Sequence, residues 1–427
     1  MKSTNRVQLK NPRIRGIFEI REMWNRWWLF HATDFQSLMY PCFNFCCILG
    51  ILPYKINAST FEASRPRYIL SAVITCVCCI FDLFLIYGFI SEINLGSVHK
   101  TLEITSYYTF SGLIMIITHV LNGPRMRLLQ TILEVSSKLP PESYQKLSRW
   151  IHVKDIFGTI FLVVQLCTYF FTQLLFEVNY LTVLTVMFTI YLTLLEFHIN
   201  MMYMNCVCVL KACFKKINEN LQRMQKFIVI DIKPCVSRLV CRMPRNQFLL
   251  IELKILKKQH LMVSDAVKML NIFSLQLLAT IAMLFSNGTF EIYFYVVRWQ
   301  DGLRFNFDWR FFNVVFISIM FFFIKITLLV WACETGKNQA QELRTSIHDI
   351  LNSTSDEQIK DELRLFSLQI LHRENTFSGK GFTMDATLLT TIVGTITTYM
   401  LILIQFLIAS HSCDEKSGSN VTNNPVI

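Results

Sequence analysis

Two ionisable residues lie deep inside apolar segments of the chain, where charged side chains are rare. Glu196 and Lys325 each stand about 16 residues into such a segment, which is a depth of about 24 Å at 1.5 Å per helical residue. A charge inside a bilayer is costly unless it is paired, so such residues are candidates for function. We hypothesise that the two form an ion pair in the inner half of the membrane. The alternative, that each side chain extends separately to the cytosolic surface, stays open.

Aromatic, amide and acidic side chains form a second set, in segment halves that the Lys and Arg distribution predicts to be extracellular. Its members are Tyr107, Tyr108, Tyr169, Gln173, Asn287, Glu291, Tyr293 and Asn313. Aromatic side chains with a few polar groups suit a small polar or amphipathic ligand, so we predict that this set lines a ligand pocket. For any single member the alternative is anchoring at the membrane interface, or packing.

Residue patterns typical of enzymes are missing from the sequence. It contains no HExxH, no GxSxG, no Walker loop and no GxGxxG, so we expect no enzymatic activity and no cofactor. His198 and Glu196 are two residues apart, which places them on different helix faces, so we expect no metal site there. The net charge of +11 is explained by lysines and arginines at the cytosolic membrane face, and no nucleic-acid partner is expected.

The composition indicates an all-α, polytopic membrane protein. Of its 427 residues, 53% are hydrophobic and 17% are charged, whereas about a quarter of a soluble domain is charged. About 20 apolar residues cross a bilayer as a helix. Seven spans are predicted, at residues 68–91, 103–123, 155–177, 179–210, 271–297, 309–333 and 384–409. Residues 38–53 are too short and too interrupted by Pro41, Gly50 and Pro53 to span, so we expect an interfacial or re-entrant helix there.

The distribution of Lys and Arg predicts the orientation of these spans. One side carries 35 of them and the other carries 5, with Lys325 inside a span. Because cytosolic loops are enriched in Lys and Arg, the N-terminus is predicted to be cytosolic and the C-terminus extracellular. Amphipathic patterns at residues 217–227, 249–270, 334–351 and 355–372 predict helices on the cytosolic side. The last of these is predicted to begin at an N-cap on Thr354 or Ser355.

These boundaries predict seven consecutive regions. They are a cytosolic N-terminus with an interfacial helix (1–66), spans one to four (67–210), a cytosolic helical segment (211–270), spans five and six (271–333), a second cytosolic helical segment (334–383), span seven (384–409) and an extracellular tail (410–427). The natural use of the two cytosolic helical segments is an anchor that joins subunits. A loosely packed monomeric bundle is the alternative.

The last span carries one amide, Gln405, among apolar residues. An unpaired amide is costly in hydrocarbon, so a polar partner must lie against that face of the helix. The partner is either another helix or water in a pore. Thr398, Ile402, Gln405 and Ala409 fall along one helix face, so this face would supply hydroxyl, aliphatic and amide groups to a conduit.

The C-terminal part of the chain resembles the insect gustatory receptors. Residues 398–406 read TYMLILIQF, which meets every defining position of the TYhhhhhQF signature of that family, where h is hydrophobic. A similar lead-in precedes the signature: Phe366, Gln369, Phe377, Gly381, Phe382, Asp385, Leu388, Leu389 and Gly394. Residues 50–53, which read GILP, are similar to the opening segment of the family. Seven spans with a cytosolic N-terminus are also its topology.

The resemblance implies a ligand-gated, nonselective cation channel in the plasma membrane of a sensory neuron dendrite. It implies a homotetramer or heterotetramer surrounded by membrane lipid, with the last helix of each subunit at a central pore and the cytosolic segments as an anchor. The implied pore and gate residues are Thr398, Tyr399, Ile402, Gln405 and Phe406. Phe406 suits a hydrophobic gate that blocks ions by dewetting. The ligand is a small tastant of unspecified chemistry, and some members of the family sense heat or light instead.

Two other classes of membrane protein fit less well. A seven-helix receptor coupled to G proteins is disfavoured by the inverted charge distribution, by the lack of a DRY motif after span three, and by the position of Asn424-Pro425 in the tail. A transporter would show inverted repeats and broken helices, and the sequence shows neither.

Overall fold

The computed structural model describes residues 30–56, 60–91, 98–174, 179–230, 239–302, 309–373, 375–379 and 382–419, with only the backbone described at several helix ends, including residues 406–419. Helices make up most of these ranges. They are α1 (Phe35–Ile48), α2 (Arg65–Ser91), α3 (Val98–Val120), α4 (Asn122–Ser136), α5 (Pro141–Leu174), α6 (Tyr180–Ile230), α7 (Leu239–Met269), α8 (Ser274–Gly302), α9 (Trp309–Ser353), α10 (Glu357–His372) and α11 (Ala386–Ser419).

Two short antiparallel hairpins accompany the helices. Strand β1 (Tyr54–Ile56) pairs with β2 (Phe61–Ala63), and β3 (Ser378–Gly379) pairs with β4 (Phe382–Thr383). The sequence did not predict these strands, which are two or three residues long. The all-α fold class is confirmed, because the hairpins only connect helices.

The described part of the chain holds six helices that are long and apolar enough to cross a membrane, and up to seven if a bent pair forms one more. The prediction of seven spans is confirmed if the bent pair is counted as the seventh. The bent pair differs from expectation, because the second span was predicted as one helix over 103–123. The chain instead turns by 65° between α3 and α4. Pro124 follows the turn and has no N–H to donate to the carbonyl of Val120, which favours the break.

Helix α1 is too short to cross the membrane, as expected for residues 38–53. Its 14 residues extend about 21 Å, whereas a bilayer core is about 30 Å thick. A capping box begins it: the Asp34 carboxylate accepts from the Ser37 N–H at 2.7 Å, and the Ser37 hydroxyl accepts from the Asp34 N–H at 3.2 Å. Gly50 follows with a φ of +76°, which glycine adopts without strain.

Three long helical stretches extend beyond any membrane core. Helix α6 has 51 residues, a length of about 76 Å, and packs against α9, which has 45 residues. Helices α7 and α8 are joined by one turn of 3-10 helix, Leu270–Phe273. Helix α10 begins one or two residues later than predicted, because Asp356 is the N-cap. Its carboxylate accepts from the N–H groups of Gln358 and Ile359 at 3.0 and 3.1 Å, and a negative charge suits a helix N-terminus.

Candidate functional site

A buried ion pair joins α6 to α9. The ammonium of Lys325 donates to a carboxylate oxygen of Glu196, and the two side chains are only 6% and 4% exposed. The amide of Asn200 lies 3.5 Å from the same oxygen, and the ammonium lies 5.8 Å from the centre of the Phe321 ring. The structure therefore brings the two ionisable residues together, and neither side chain extends separately to the cytosolic surface.

Three of the four predicted pocket tyrosines converge on α6. The hydroxyls of Tyr108 and Thr189 are 2.9 Å apart, and those of Tyr107 and Thr193 are 2.8 Å apart. Tyr169 of α5 lies within hydrogen-bonding reach of Thr189. These hydroxyls are directed into the helical bundle, whereas a tyrosine that anchors a helix at the membrane interface presents its hydroxyl to the headgroups. We call this group of tyrosines and threonines the tyrosine cluster.

A line of hydrogen bonds connects α5, α9 and α8. The amide nitrogen of Gln165 donates to the Ser318 hydroxyl at 2.8 Å, and that hydroxyl lies within reach of the Glu291 carboxyl. Three oxygens are buried without a hydrogen-bond partner among the described residues: the Oε2 of Glu291, the Oε1 of Gln165 and the Oδ1 of Asn287. Asn287 and Glu291 share a face of α8 because they are four residues apart. We call Gln165, Asn287, Glu291 and Ser318 the acceptor cluster.

Two other predicted pocket residues differ in exposure: Asn313 is exposed on α9, and Tyr293 is half-buried on α8. The side chain of Gln173 lies outside the described residues.

Gln165, Thr189 and Ser318 were not predicted from the sequence. A lone Ser or Thr in an apolar helix often bonds to its own backbone and gives little signal. Gln165 could have been predicted in the same way as Gln405, because it is also an amide in an apolar segment.

The closing helix α11 exposes a polar face. Thr391, Thr398, Ile402 and Gln405 are exposed, and only 6% of the residues in the most apolar stretch of this helix are buried. The Thr398 hydroxyl donates to the Gly394 carbonyl at 2.9 Å, so it needs no outside partner. The Gln405 amide makes no hydrogen bond to a described residue. The Tyr399 side chain is 51% exposed, and the side chain of Phe406 lies outside the described residues.

Helix α8 packs against α11 beside the acceptor cluster. A Cβ added at Gly288 would lie 3.8 Å from the side chain of Ile396, so the two helices are in close contact there. The rings of Phe285 and Tyr399 meet edge to face, with their centres 6.1 Å apart. The turn of α8 that carries Asn287, with its unpaired oxygen, on one face therefore contacts the closing helix on a neighbouring face.

The beginning of α11 is connected to the part of α9 that follows residue 333, the predicted end of span six. The ring of Phe377 lies against Gly336, where an added Cβ would be 2.7 Å from a ring carbon. The ammonium of Lys337 lies 3.8 Å from the Asp385 carboxylate. Two residues of the lead-in, Phe377 and Asp385, thereby hold the start of the closing helix against consecutive positions of α9.

A third lead-in residue joins α10 to α7. The amide nitrogen of Gln369 lies 2.9 Å from Nδ1 of His260 and donates to the Lys257 carbonyl at 3.0 Å. Phe366 packs edge to face on the His260 ring. Burial lowers the pKa of His260, which precedes the membrane span, to about 4, so the imidazole is neutral.

Other buried ionisable groups, Asp82 and Arg125 among them, were not predicted, although charged residues in or beside apolar segments are a visible signal. Asp82 of α2 is 5% exposed and lies against Gly112, where an added Cβ would collide with its carboxylate. Arg125 of α4 is fully buried and lies 5.4 Å from the centre of the Phe273 ring. Within the described ranges, no three His, Cys, Asp or Glu side chains are grouped as metal ligands would be.

Comparison with known proteins identifies the family. A sequence model of the family described as 7tm Chemosensory receptor matches residues 39–410. Putative gustatory receptor 28a of Drosophila melanogaster is 35% identical over 116 residues, which is 27% of this chain and 25% of that relative. Putative gustatory receptor 28b of the same organism is 29% identical over 167 residues, or 38% of this chain and 35% of the relative. The aligned parts thus span about a quarter to a third of these relatives.

Solved structures share the fold. The insect olfactory receptor OR5 from Machilis hrabei matches with a TM-score of 0.69 and 12% identity, over 87% of this chain and 98% of that chain. The structure of the same receptor in complex with eugenol matches with a TM-score of 0.67 over the same shares. At this identity the likeness establishes the fold alone, whereas the family model covers most of the chain. The chain therefore belongs to the 7tm chemosensory receptor family, among the insect gustatory receptors, as the closing signature predicts.

Proposed function

We propose that this chain is one subunit of a nonselective cation channel that a small tastant opens, with α11 lining the pore. The observation that carries the proposal is Gln405, an exposed amide without a partner among the described residues. Hydrocarbon would leave this amide unsatisfied, whereas water in a central pore would satisfy it. Four copies, the number implied by the family resemblance, would place rings of Thr398, Ile402 and Gln405 along the axis.

The ligand site that we propose lies between the tyrosine cluster and the acceptor cluster. The tyrosines supply aromatic surface, and one oxygen each of Asn287 and Glu291 is buried without a hydrogen-bond partner among the described residues. Buried polar atoms are normally hydrogen-bonded, so the favoured ligand is a small molecule with both an apolar surface and hydrogen-bond donors. The complex of the Machilis hrabei receptor with eugenol supports a small organic ligand in a receptor of this fold.

Helix α8 would transmit binding to the pore. A ligand that draws Asn287 and Glu291 towards the tyrosine cluster shifts the turn of α8 that contacts α11. The contacts of Gly288 with Ile396 and of Phe285 with Tyr399 would pass this shift to the closing helix. In the open channel, Phe406 would move away from the axis of the central pore, and Gln405 would turn towards that axis. A ligand can drive this change only if it binds the open arrangement more tightly than the closed one.

We also propose how the subunits assemble and how they are oriented in the membrane. The cytosolic parts of α6, α7, α9 and α10 would form the anchor between subunits, because they carry the amphipathic helices outside the membrane. The N-terminus would be cytosolic and the C-terminus extracellular, in the plasma membrane. The excess of Lys and Arg on one side supports this orientation.

Current recording from cells that express single variants tests the pore. Phe406→Ala should raise the resting conductance, because it removes the hydrophobic constriction. In that background, Thr398→Cys should make the current sensitive to a charged, membrane-impermeant thiol reagent. Ile396→Cys is the matched control, since Ile396 packs against α8 and should stay unmodified. The Phe406→Ala variant without an added cysteine measures how far the reagent acts through the 14 native cysteines.

Two results would contradict the pore. One is equal block, or no block, in the Thr398→Cys and Ile396→Cys channels. The other is a Phe406→Ala receptor that is silent at rest yet still responds to ligand, which would remove Phe406 from the gate.

A further inference from the structure

A crevice opens between α4, α6 and α7 near their cytosolic parts. Its volume is about 70 Å³, several times the roughly 10–15 Å³ that one water needs. It is far smaller than the about 300–1,000 Å³ of a site for a whole drug-sized ligand. The polar residues that line it are Lys138, Lys216, Asn220 and Gln259. A space of this size accommodates one compact polar group.

The chemistry of the crevice favours an anion. All four polar lining side chains carry hydrogen-bond donors, and no carboxylate is among the lining residues. The Lys138 ammonium lies 3.8 Å from the Met262 sulfur, and a thioether does not neutralise a positive charge. Neither Lys138 nor Lys216 forms a salt bridge with a residue in the described ranges. Two positive charges therefore face one small space with no counter-ion from the described part of the chain.

The position of the crevice matches the inner membrane surface. Lys216 lies six residues beyond residue 210, the predicted inner end of span four, which is about 9 Å along the helix. The headgroup region extends about 5–8 Å beyond the hydrocarbon core on each side, so Lys216 lies within a few Å of the anionic headgroups of the cytosolic leaflet, inside a Debye length of roughly 8 Å at physiological salt. This step rests on the orientation given in the proposed function.

We propose that this crevice binds a phosphate group of a phosphorylated inositol, either on a lipid headgroup or free in solution. The two lysines provide the charge, and the amides of Asn220 and Gln259 donate to the remaining phosphate oxygens. The bound phosphate bridges α4, α6 and α7. Because α7 continues through one 3-10 turn into α8, occupancy of the crevice biases the helix that contacts the closing helix. Phosphorylated inositol thereby regulates the receptor from the cytosolic side.

Binding to the purified full-length receptor tests the proposal without any need for current or tastant. The probes are phosphatidylcholine vesicles containing phosphatidylinositol 4,5-bisphosphate, and soluble inositol 1,4,5-trisphosphate. Lys138→Met with Lys216→Met should weaken binding by at least about tenfold, since each lysine near an anionic surface contributes measurably. The matched control, Lys146→Met with Lys215→Met, removes two exposed positive charges outside the crevice and should change binding by less than about threefold. Lys216→Arg keeps the charge and should bind as the wild type does.

The two probes separate the sources of the phosphate. Binding of the vesicles alone assigns the site to the lipid, and equal binding of the soluble probe assigns it to free inositol phosphate. Binding of neither probe overturns the proposal, and so does an equal loss in the crevice and control variants. These outcomes are independent of whether α11 lines a pore.

Discussion

Breaking the Glu196–Lys325 pair on one side should destabilise the protein more than removing it entirely. Lys325→Met leaves the Glu196 carboxylate only 4% exposed, with the Asn200 amide at 3.5 Å as its remaining partner. Glu196→Gln likewise leaves a buried ammonium without a counter-charge. The double variant removes both charges and keeps side chains of similar volume.

The magnitude follows from the burial of the pair. An unpaired buried charge costs about 3–5 kcal/mol, whereas replacing a whole buried pair by apolar groups of similar size is often close to neutral. Each single variant should therefore lose about 3–5 kcal/mol, and the double variant much less. For a chain of this length, such a loss corresponds to a decrease in Tm of about 3–6 °C.

Thermal unfolding of purified receptor, followed by size-exclusion fluorescence, measures these effects. The matched control is the exposed pair of Asp361 and Arg364, whose side chains are 65% and 56% exposed. Removing one partner there should cost about 0.5 kcal/mol or less. The reasoning is refuted if the effects of Glu196→Gln and Lys325→Met simply add in the double variant. Exchange of the two charges, Glu196→Lys with Lys325→Glu, should likewise restore current lost in each single exchange.

Three further outcomes are expected. Gly336→Ala should lower the free energy of unfolding by about 1–3 kcal/mol, because its methyl group would press on the Phe377 ring; adding Phe377→Leu should recover part of the loss in a thermal melt. Burial lowers the pKa of His260 to about 4, below the about 6.5 of an unfolded chain, so the unfolded state binds the proton first as the pH falls. Stability should therefore fall by about 2 kcal/mol from about pH 7.5 to about pH 5, and His260→Gln should flatten that dependence. A tag after Ile427 should bind antibody on intact cells, and labelling only after permeabilisation would contradict the orientation.

The sequence predicted best those features that depend on a single geometric quantity, such as the rise per helical residue or the length of an apolar segment. Glu196 and Lys325 stand at equal depth in spans that run in the same direction, so a contact between them was predictable from 1.5 Å per residue. Composition and apolar length likewise predicted the helices. The closing signature predicted the family, because nine consecutive positions met a strict pattern.

Features that depend on how helices pack were beyond the sequence. The acceptor cluster needs Gln165, Ser318 and Glu291 to meet from three helices, and no sequence spacing sets the rotation of one helix against another. The 65° turn between α3 and α4 is favoured by Pro124, but a proline in an apolar segment can either kink or break a helix, and the sequence does not decide between the two. The N-cap at Asp356 was missed because three neighbouring residues are all good caps.

The most direct test of the central claim is the conductance of channels with a changed charge at Gln405. If α11 lines a cation pore, Gln405→Glu places a ring of acidic side chains in the conduit and should raise the single-channel conductance for cations. Gln405→Lys places positive charges there and should lower or abolish it. Opposite changes in the two variants, with equal surface expression, are the predicted result. Equal conductance in both variants and in the wild type would contradict a pore lined by this helix.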